Sequence, residues 1–172
     1  MVLQTARLSV RPFTEQDFPD YFGYVMEPEL QLMLGLDGVT DETSAHDTFE
    51  WLITNREFLA LEKKDTGNVI GHICIHPPYS ALESAPGFSE KTGCSLSFAL
   101  AKAERRQGYM EEALRALVRE LFSREKLDYI DCEYTTYNAA SHALQEKLGF
   151  ECWGRELIED GELRINVLEN PD

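Results

Sequence analysis

The sequence predicts an α/β fold, and three observations carry that prediction. Residues Cys94 to Ala101 form a nearly continuous apolar run, the pattern of a strand buried on both faces. After a short turn, Met110, Ala113, Leu114, Leu117, Val118, Leu121 and Phe122 recur three and four residues apart, one stripe of an amphipathic helix. Tyr129-Ile130-Asp131-Cys132-Glu133-Tyr134 then reads as a second strand. Strand, crossover helix and strand in that order imply a right-handed parallel unit, and the rest of the chain is arranged around it.

Composition sets the outer limits. The 172 residues suffice for one domain with a substantial core and are few for two, so residues 1–172 are read as a single domain. A hydrophobic fraction of 43% with 10% aromatic residues suits an ordinary globular protein. No apolar run approaches the length of a membrane span. The opening Met1-Val2-Leu3-Gln4-Thr5-Ala6-Arg7 lacks the basic-then-apolar layout of a signal peptide, so a cytoplasmic protein is expected. The net charge of −15 argues against a nucleic-acid partner, which needs a basic footprint. It suits a cationic or amine-bearing substrate drawn in by the field, and equally a role in solubility alone. Cys74, Cys94, Cys132 and Cys152 form no C-x-x-C pair and lie in apolar or strand-like segments, so four small buried thiols are expected. His72 and His76 are four apart, but on a strand before Pro77-Pro78 rather than on a helix, so no metal site is expected.

Taken in order, Arg7-Leu8-Ser9-Val10-Arg11-Pro12 alternates polar and apolar as a half-buried strand does, and Pro12 ends it. Thr14 with Asp17 resembles a helix cap, and Phe18, Tyr21, Phe22 and Val25 supply the stripe of the helix that follows. Pro28 to Asp37 reads as irregular. Ser44 with Asp47 is a second capping pattern, with Ala45, Phe49, Leu52 and Ile53 lining one face of a second helix. Phe58 to Glu62 and Val69 to Ile75 read as a hairpin whose turn carries Asp65, Gly67 and Asn68. His76 to Gly93 is a long loop with three prolines, which suits a substrate lid. Asn138 caps a helix with Ala139, Ala143, Leu144 and Leu148 on its apolar face and Gly149 as its stop. Phe150 to Ile158, a turn at Asp160-Gly161 and Leu163 to Leu168 make a last hairpin.

The turn between the central strand and its helix carries the chemistry. Arg105-Arg106-Gln107-Gly108-Tyr109-Met110 is basic, and such a turn points successive backbone N–H groups outward. The helix behind it adds the positive end of its dipole, and together they make an anion site suited to phosphate. Gly108, without a Cβ, lets a bulky anion approach and tolerates unusual φ/ψ, while Arg105 and Arg106 add charge-assisted donors. A solvated helix entry has the same composition, so the turn alone does not decide.

Resemblance makes it specific. Arg105-x-x-Gly108-x-Met110, followed by Glu112-Ala113, resembles the coenzyme A pyrophosphate loop of the GNAT acetyltransferases, which reads Gln/Arg-x-x-Gly-x-Gly/Ala; Met110 departs from it. Asn138-x-x-Ser141, ending in Lys147-Leu148-Gly149-Phe150, is similar to a second motif of that family at the expected distance. The Arg-Leu-x-Val-Arg-Pro-Phe opening from Arg7, followed by Asp17, is similar to the branch that includes the ribosomal-protein N-terminal (alanine) acetyltransferases. The resemblance covers essentially the whole chain. It implies a mixed, twisted central sheet of about six to seven strands flanked by about four helices, and acetyl-CoA or coenzyme A as co-substrate, with no metal.

By that resemblance, residues Arg105, Arg106, Gln107, Gly108, Tyr109 and Met110 bind the pyrophosphate, and the backbone of Phe98, Ala99 and Leu100 pairs with the pantetheine arm like an added strand. Asn138 bonds the pantetheine, and Ser141 lies near the sulfur, where its hydroxyl protonates the departing thiolate. A plain N-cap and a helix-surface serine are the structural alternatives, and Tyr137 is a second candidate donor. Glu133, with Asp131 on the same face, is the candidate base acting through a water; solvated strand carboxylates look the same, and Ser95 and Ser97 stand where a carboxylate would have been more telling. The N-terminal helices form one wall of the acceptor cleft in the family, so Tyr24, Met26, Met33 and Trp51 line that pocket or pack in the core. The expected activity is direct acetyl transfer in a ternary complex to a protein or peptide N-terminus or a small amine, with a homodimer as a family-level expectation. The competing reading is an acyl-CoA-binding sensor or interaction module without turnover. A nucleotide-binding module is disfavoured, since neither G-x-x-x-x-G-K-[ST] nor G-x-G-x-x-G is present.

Overall fold

Alternation and apolar runs place most strands where the computed structural model has them; it describes every residue except Asp37, Arg56, Asp160 and Asp172. The strands are β1 (Leu3–Gln4), β2 (Leu8–Pro12), β3 (Phe58–Lys63), β4 (Val69–His76), β5 (Gly93–Leu100), β6 (Tyr129–Thr135), β7 (Glu151–Ile158) and β8 (Gly161–Glu169). The helices are α1 (Phe18–Val25), α2 (Pro28–Leu34), α3 (Glu42–Thr54), α4 (Ser80–Glu83), α5 (Tyr109–Ser123) and α6 (Ala139–Leu148). Hydrogen bonding orders the strands β1-β2-β3-β4-β5-β6-β8-β7 in a mixed sheet. Eight strands exceed the expected six to seven, because a two-residue strand such as β1 is too short for alternation to register.

Two helices were not expected. Residues from Pro28 form α2 rather than irregular chain: Pro28 sits at its first turn, and Gly35, at φ +63°, closes it in the left-handed conformation. Asp37 lies outside the described residues. The one-turn α4 interrupts the long loop. At α3 the cap sits one turn earlier than the Ser44–Asp47 pattern suggested. Asp41 Oδ1 accepts the Ser44 N–H at 2.9 Å, and Ser44 Oγ accepts the Asp41 N–H at 3.1 Å.

The chain divides into two compact units, Met1–Cys74 with Phe98–Ala116, and Ile75–Ser97 with Leu117–Asp172. In the first, β2 pairs antiparallel with β3, and β3 with β4. The turn between β3 and β4 closes with Gly67 at φ +77° and its N–H on Lys63 O at 2.8 Å. Phe13, Tyr21, Tyr24, Phe49 and Leu52 form a buried cluster beneath α1 and α3, with Phe13 and Phe49 edge to face at 5.6 Å. Each fully buried side chain of this size contributes about 1.5–3 kcal/mol. Asp17, 6% exposed, accepts from Arg11 Nη1 and Nη2 at 2.7 and 2.8 Å and from the Thr14 N–H at 2.8 Å. One carboxylate thus fastens β2 to the entry of α1.

In the second unit β5 and β6 are parallel, with Gly93 opposite Tyr129 and Ser95 opposite Asp131, as the strand–helix–strand pattern requires. A Cβ at Gly93 would stand 2.4 Å from the Tyr129 ring, so only glycine admits that ring. β8 pairs antiparallel with β6 on one side and with β7 on the other. Asp160, half of the expected turn, lies outside the described residues. The segment after β4 packs on the sheet. Leu82, fully buried, packs with Tyr129 and Val167, and the Phe88 ring meets Tyr129 at 4.9 Å. Three cysteines are buried, but Cys152 is exposed because β7 presents nearly all its side chains to solvent. No helix among the described residues is long and apolar enough to cross a membrane.

Candidate active site

Within the first unit the turn has the backbone its glycine foretold, and one feature it did not. Gly108 has φ +80°, and Arg106 is also left-handed at φ +63°. A non-glycine residue pays roughly 1–2 kcal/mol for that conformation, and such strain collects at ligand sites. The first α5 bond runs from Glu112 N–H to Gly108 O at 3.0 Å. Among the described residues, the N–H groups of Tyr109 and Met110 therefore have no backbone partner four residues back, as at any helix start.

The two arginines part company. Arg105 donates from Nε to Leu100 O at 3.0 Å and stands 3.5 Å from Glu27 and 3.1 Å from Glu29. Its charge is spent on bracing the turn against α2. Arg106, Gln107 and Gly108 are exposed, and Arg106 is the cation that the turn presents to solvent. The departure at Met110 is accommodated: its side chain is buried, so the extra bulk enters the core rather than the mouth of the turn. Tyr109 is buried as well, with the Arg7 guanidinium 4.3 Å from its ring centre.

Arg7 is the residue that sequence reasoning missed here. Its Nη1 donates to Gln107 O at 2.9 Å and its Nε to Glu112 Oε2 at 2.7 Å, while Glu112 Oε1 accepts the Arg7 N–H at 2.8 Å and the Thr5 hydroxyl at 2.6 Å. Burial pushes the Glu112 carboxyl up, but the bonds from Thr5 and Arg7 outweigh it and hold the group below its usual range. No local pattern links residues more than a hundred positions apart.

The strand leading into the turn has one edge in use. Ala101 N–H bonds Ile70 O at 2.9 Å, and Gly71 approaches so closely that a Cβ there would stand 2.2 Å from Ala99 O. The register of β5 with β6 covers Gly93 to Ser95 and stops, so the other edge of Phe98, Ala99 and Leu100 has no strand partner among the described residues. Tyr24 belongs to the core, its hydroxyl 2.9 Å from His72 Nδ1, and Met26 packs against the same cluster; Met33 and Trp51 are exposed. Burial lowers the His72 pKa to about 4.

The second unit holds the remaining candidates. Asn138 caps α6, its Oδ1 accepting the Ser141 N–H at 3.1 Å. Ser141 is buried; its Oγ accepts Gln145 Nε2 at 3.1 Å, which leaves the hydroxyl proton to donate. Tyr137 is 57% exposed. Glu133 is half-buried, and burial, then repulsion from Asp131 and Glu156, raises its carboxyl above the usual range. That direction suits a proton acceptor. No lysine or arginine among the described residues pairs with Glu133, Asp131 or Glu156. Asp131, fully buried, accepts the Tyr79 N–H at 3.2 Å on Oδ1, and the Tyr79 hydroxyl bonds Glu156. Burial foremost, opposed by the bonds from Ser95 and Tyr79, raises the Asp131 carboxyl. Ser97 Oγ lies 2.7 Å from His76 Nε2.

Known proteins share this architecture. Over 98% of this chain and 89% of its own length, the uncharacterized N-acetyltransferase YoaA of Bacillus subtilis is 26% identical. A GNAT-family acetyltransferase from Bacillus anthracis superposes with a TM-score of 0.83 over the full length of both chains at 18% identity. The ribosomal-protein-S5-alanine acetyltransferase of Vibrio fischeri superposes with a TM-score of 0.75 over 100% of this chain and 98% of its own, at 15% identity. These likenesses establish a GNAT fold. The acetyltransferase (GNAT) domain model matches residues 7–151, and the chain belongs to that family.

Proposed function

We propose that the protein is a cytoplasmic N-acetyltransferase that moves an acetyl group from acetyl-CoA directly to a primary amine, with both substrates bound together. One observation carries the reading: a strand edge at Phe98–Leu100, without a strand partner among the described residues, runs into a turn left-handed at Arg106 and Gly108, in front of the α5 N-terminus. That combination offers hydrogen bonds to an amide-bearing arm and donors to the phosphates behind it. Arg106 and the N–H groups of Gln107 to Met110 take the pyrophosphate, while Arg105 acts from behind as a brace. Asn138 is assigned to the pantetheine amide by the family likeness.

For the chemistry, a backbone N–H of β5 polarises the thioester carbonyl. Glu133 accepts the ammonium proton, its raised basicity matched to that task. Ser141 or Tyr137 returns a proton to the leaving thiolate. The carboxylates beside Glu133, with no lysine or arginine partner among the described residues, favour an acceptor that arrives as an ammonium ion. Small amines and protein N-termini both fit; the likeness to the ribosomal-protein-S5-alanine acetyltransferase of Vibrio fischeri supports the latter.

Calorimetric titration with acetyl-CoA and with coenzyme A tests the reading, on wild type and on Gly108→Glu. The substitution puts a side chain and a negative charge at a left-handed position in the mouth of the turn. Binding by the wild type and its loss in the variant support the assignment, and failure of the wild type to bind either ligand refutes it. Binding without turnover of any amine would favour the sensor reading.

A further inference from the structure

The serine hydroxyls of the second unit do not all have the same kind of partner. Ser84 and Ser123, at helix ends, donate to carbonyls one turn back, Ser80 O at 3.0 Å and Arg119 O at 2.6 Å. That is the ordinary helix habit, and it leaves the oxygen unactivated because an amide carbonyl takes up no proton. Ser97 differs. Its Oγ lies 2.7 Å from His76 Nε2, across the neighbouring strands β4 and β5. With the ring proton on Nδ1, Nε2 is the acceptor of that bond. A hydroxyl within hydrogen-bond reach of an imidazole is the arrangement of an activated nucleophile, because the ring can take the proton as the oxygen attacks.

The strands also decide which serine can be reached. Among the described residues, β5 stays in register with β6 from Gly93 to Ser95 and no further. Ser95, at that last pair, is 8% exposed and bonds Asp131. Ser97, two residues on along the same face of the strand, is exposed, and His76 beside it is half-buried. A small electrophile can therefore approach Ser97 from solvent, whereas Ser95 is closed to it.

We propose that Ser97 is an acyl-accepting nucleophile, with His76 as its base, and that its substrates are small activated esters and thioesters. Ser97 Oγ forms a bond to the acyl carbon while His76 Nε2 takes the hydroxyl proton. The bond from that carbon to the leaving oxygen or sulfur then breaks, and the imidazolium gives its proton to the leaving group. The products are an O-acyl serine and an alcohol or thiol. Neither residue is among those assigned to the cofactor or to amine acetylation, so the proposal stands apart from that reading.

The test treats the intact protein with p-nitrophenyl acetate at neutral pH, quenches with acid at intervals and follows acetylation of each serine by peptide mass spectrometry. Ser84 and Ser123, both exposed, are the internal references. General-base assistance is worth about 100-fold or more, so Ser97 should be acetylated about 100-fold faster than either. The Ser97 rate should also rise with pH and level off once His76 has lost its proton, while the reference rates keep rising. His76→Gln should bring Ser97 down to the reference rate and leave Ser84 and Ser123 unchanged, with far-UV circular dichroism confirming the fold. If that variant does not fold, the pH profile of the wild type decides. Acetylation of Ser97 no faster than of Ser84 and Ser123, an undiminished rate in His76→Gln, or a Ser97 rate that follows the references across the pH range would overturn the proposal.

Discussion

Replacing Arg7 by alanine tests whether the N-terminal arm holds the basic turn before α5 in shape. The guanidinium makes three contacts: Glu112 at 2.7 Å, Gln107 O at 2.9 Å and the Tyr109 ring at 4.3 Å. The Arg7 side chain is 45% exposed and that of Glu112 20%, so the ion pair is discounted for solvent and contributes at most about 1 kcal/mol. The bond to Gln107 O contributes roughly 0.5–1 kcal/mol and the ring contact about 0.5 kcal/mol. Together Arg7→Ala should cost about 2 kcal/mol, a fall in Tm of about 4–8 °C for a chain of this size. Arg7→Lys keeps a charge over the ring but cannot reach Glu112 and Gln107 O together, so it should lose about half as much. A double-mutant cycle with Glu112→Gln, followed by urea denaturation, isolates the pair, with an expected coupling of about 1 kcal/mol. A loss under about 0.5 kcal/mol in Arg7→Ala, or no coupling, would refute the bracing role.

Two further outcomes follow from the first unit. His72 has a folded pKa of about 4 against 6.5 unfolded, so between those values the unfolded chain binds the extra proton and stability falls as the pH drops. The loss should reach about 3 kcal/mol by pH 4 and vanish in His72→Asn. Glu133 and Asp131, whose raised pKa values act in the opposite sense, are common to both proteins, so parallel pH profiles of the two would sink the assignment. Gly71→Ala would set a Cβ 2.2 Å from Ala99 O and 3.0 Å from Leu100 Cα, backbone atoms that cannot rotate aside. It should cost about 3 kcal/mol or more in chemical denaturation, and a variant within about 1 kcal/mol of wild type would show that β4 and β5 are not so closely packed.

What was legible in the sequence was local. The alternation of β2, the buried run of β5 and the stripe of α5 are written in consecutive residues, and the structure has all three. The signals of α2 were also present, proline at its start and glycine just past its end, but they bound a helix of seven residues, too short for its periodicity to stand out. Strand order was not local. The last hairpin could be read, but nothing in it says that β8 rather than β7 lies against β6. That order puts Asn166 opposite Cys132 of β6, more than thirty positions away in the chain. The Arg7–Glu112 clamp was hidden for the same reason.

The basic turn before α5 shows how far a motif can be trusted without coordinates. Composition offers two adjacent arginines beside a glycine, and chemistry alone treats them as equal donors. The fold separates them. Glu27 and Glu29, just before and on α2, a helix that periodicity does not announce, take the charge of Arg105. Arg106, held at φ +63°, is left facing solvent with the N–H groups behind it. Strain at Arg106 and neutralisation at Arg105 are then two halves of one arrangement, in which one cation fixes the turn and, under the function proposed above, the other serves the ligand. If the proposed function holds, an Arg105 substitution should therefore act through the shape and stability of the turn, and an Arg106 substitution through affinity for the anion alone. Sequence matching would assign both the same role; the partners of each side chain tell them apart.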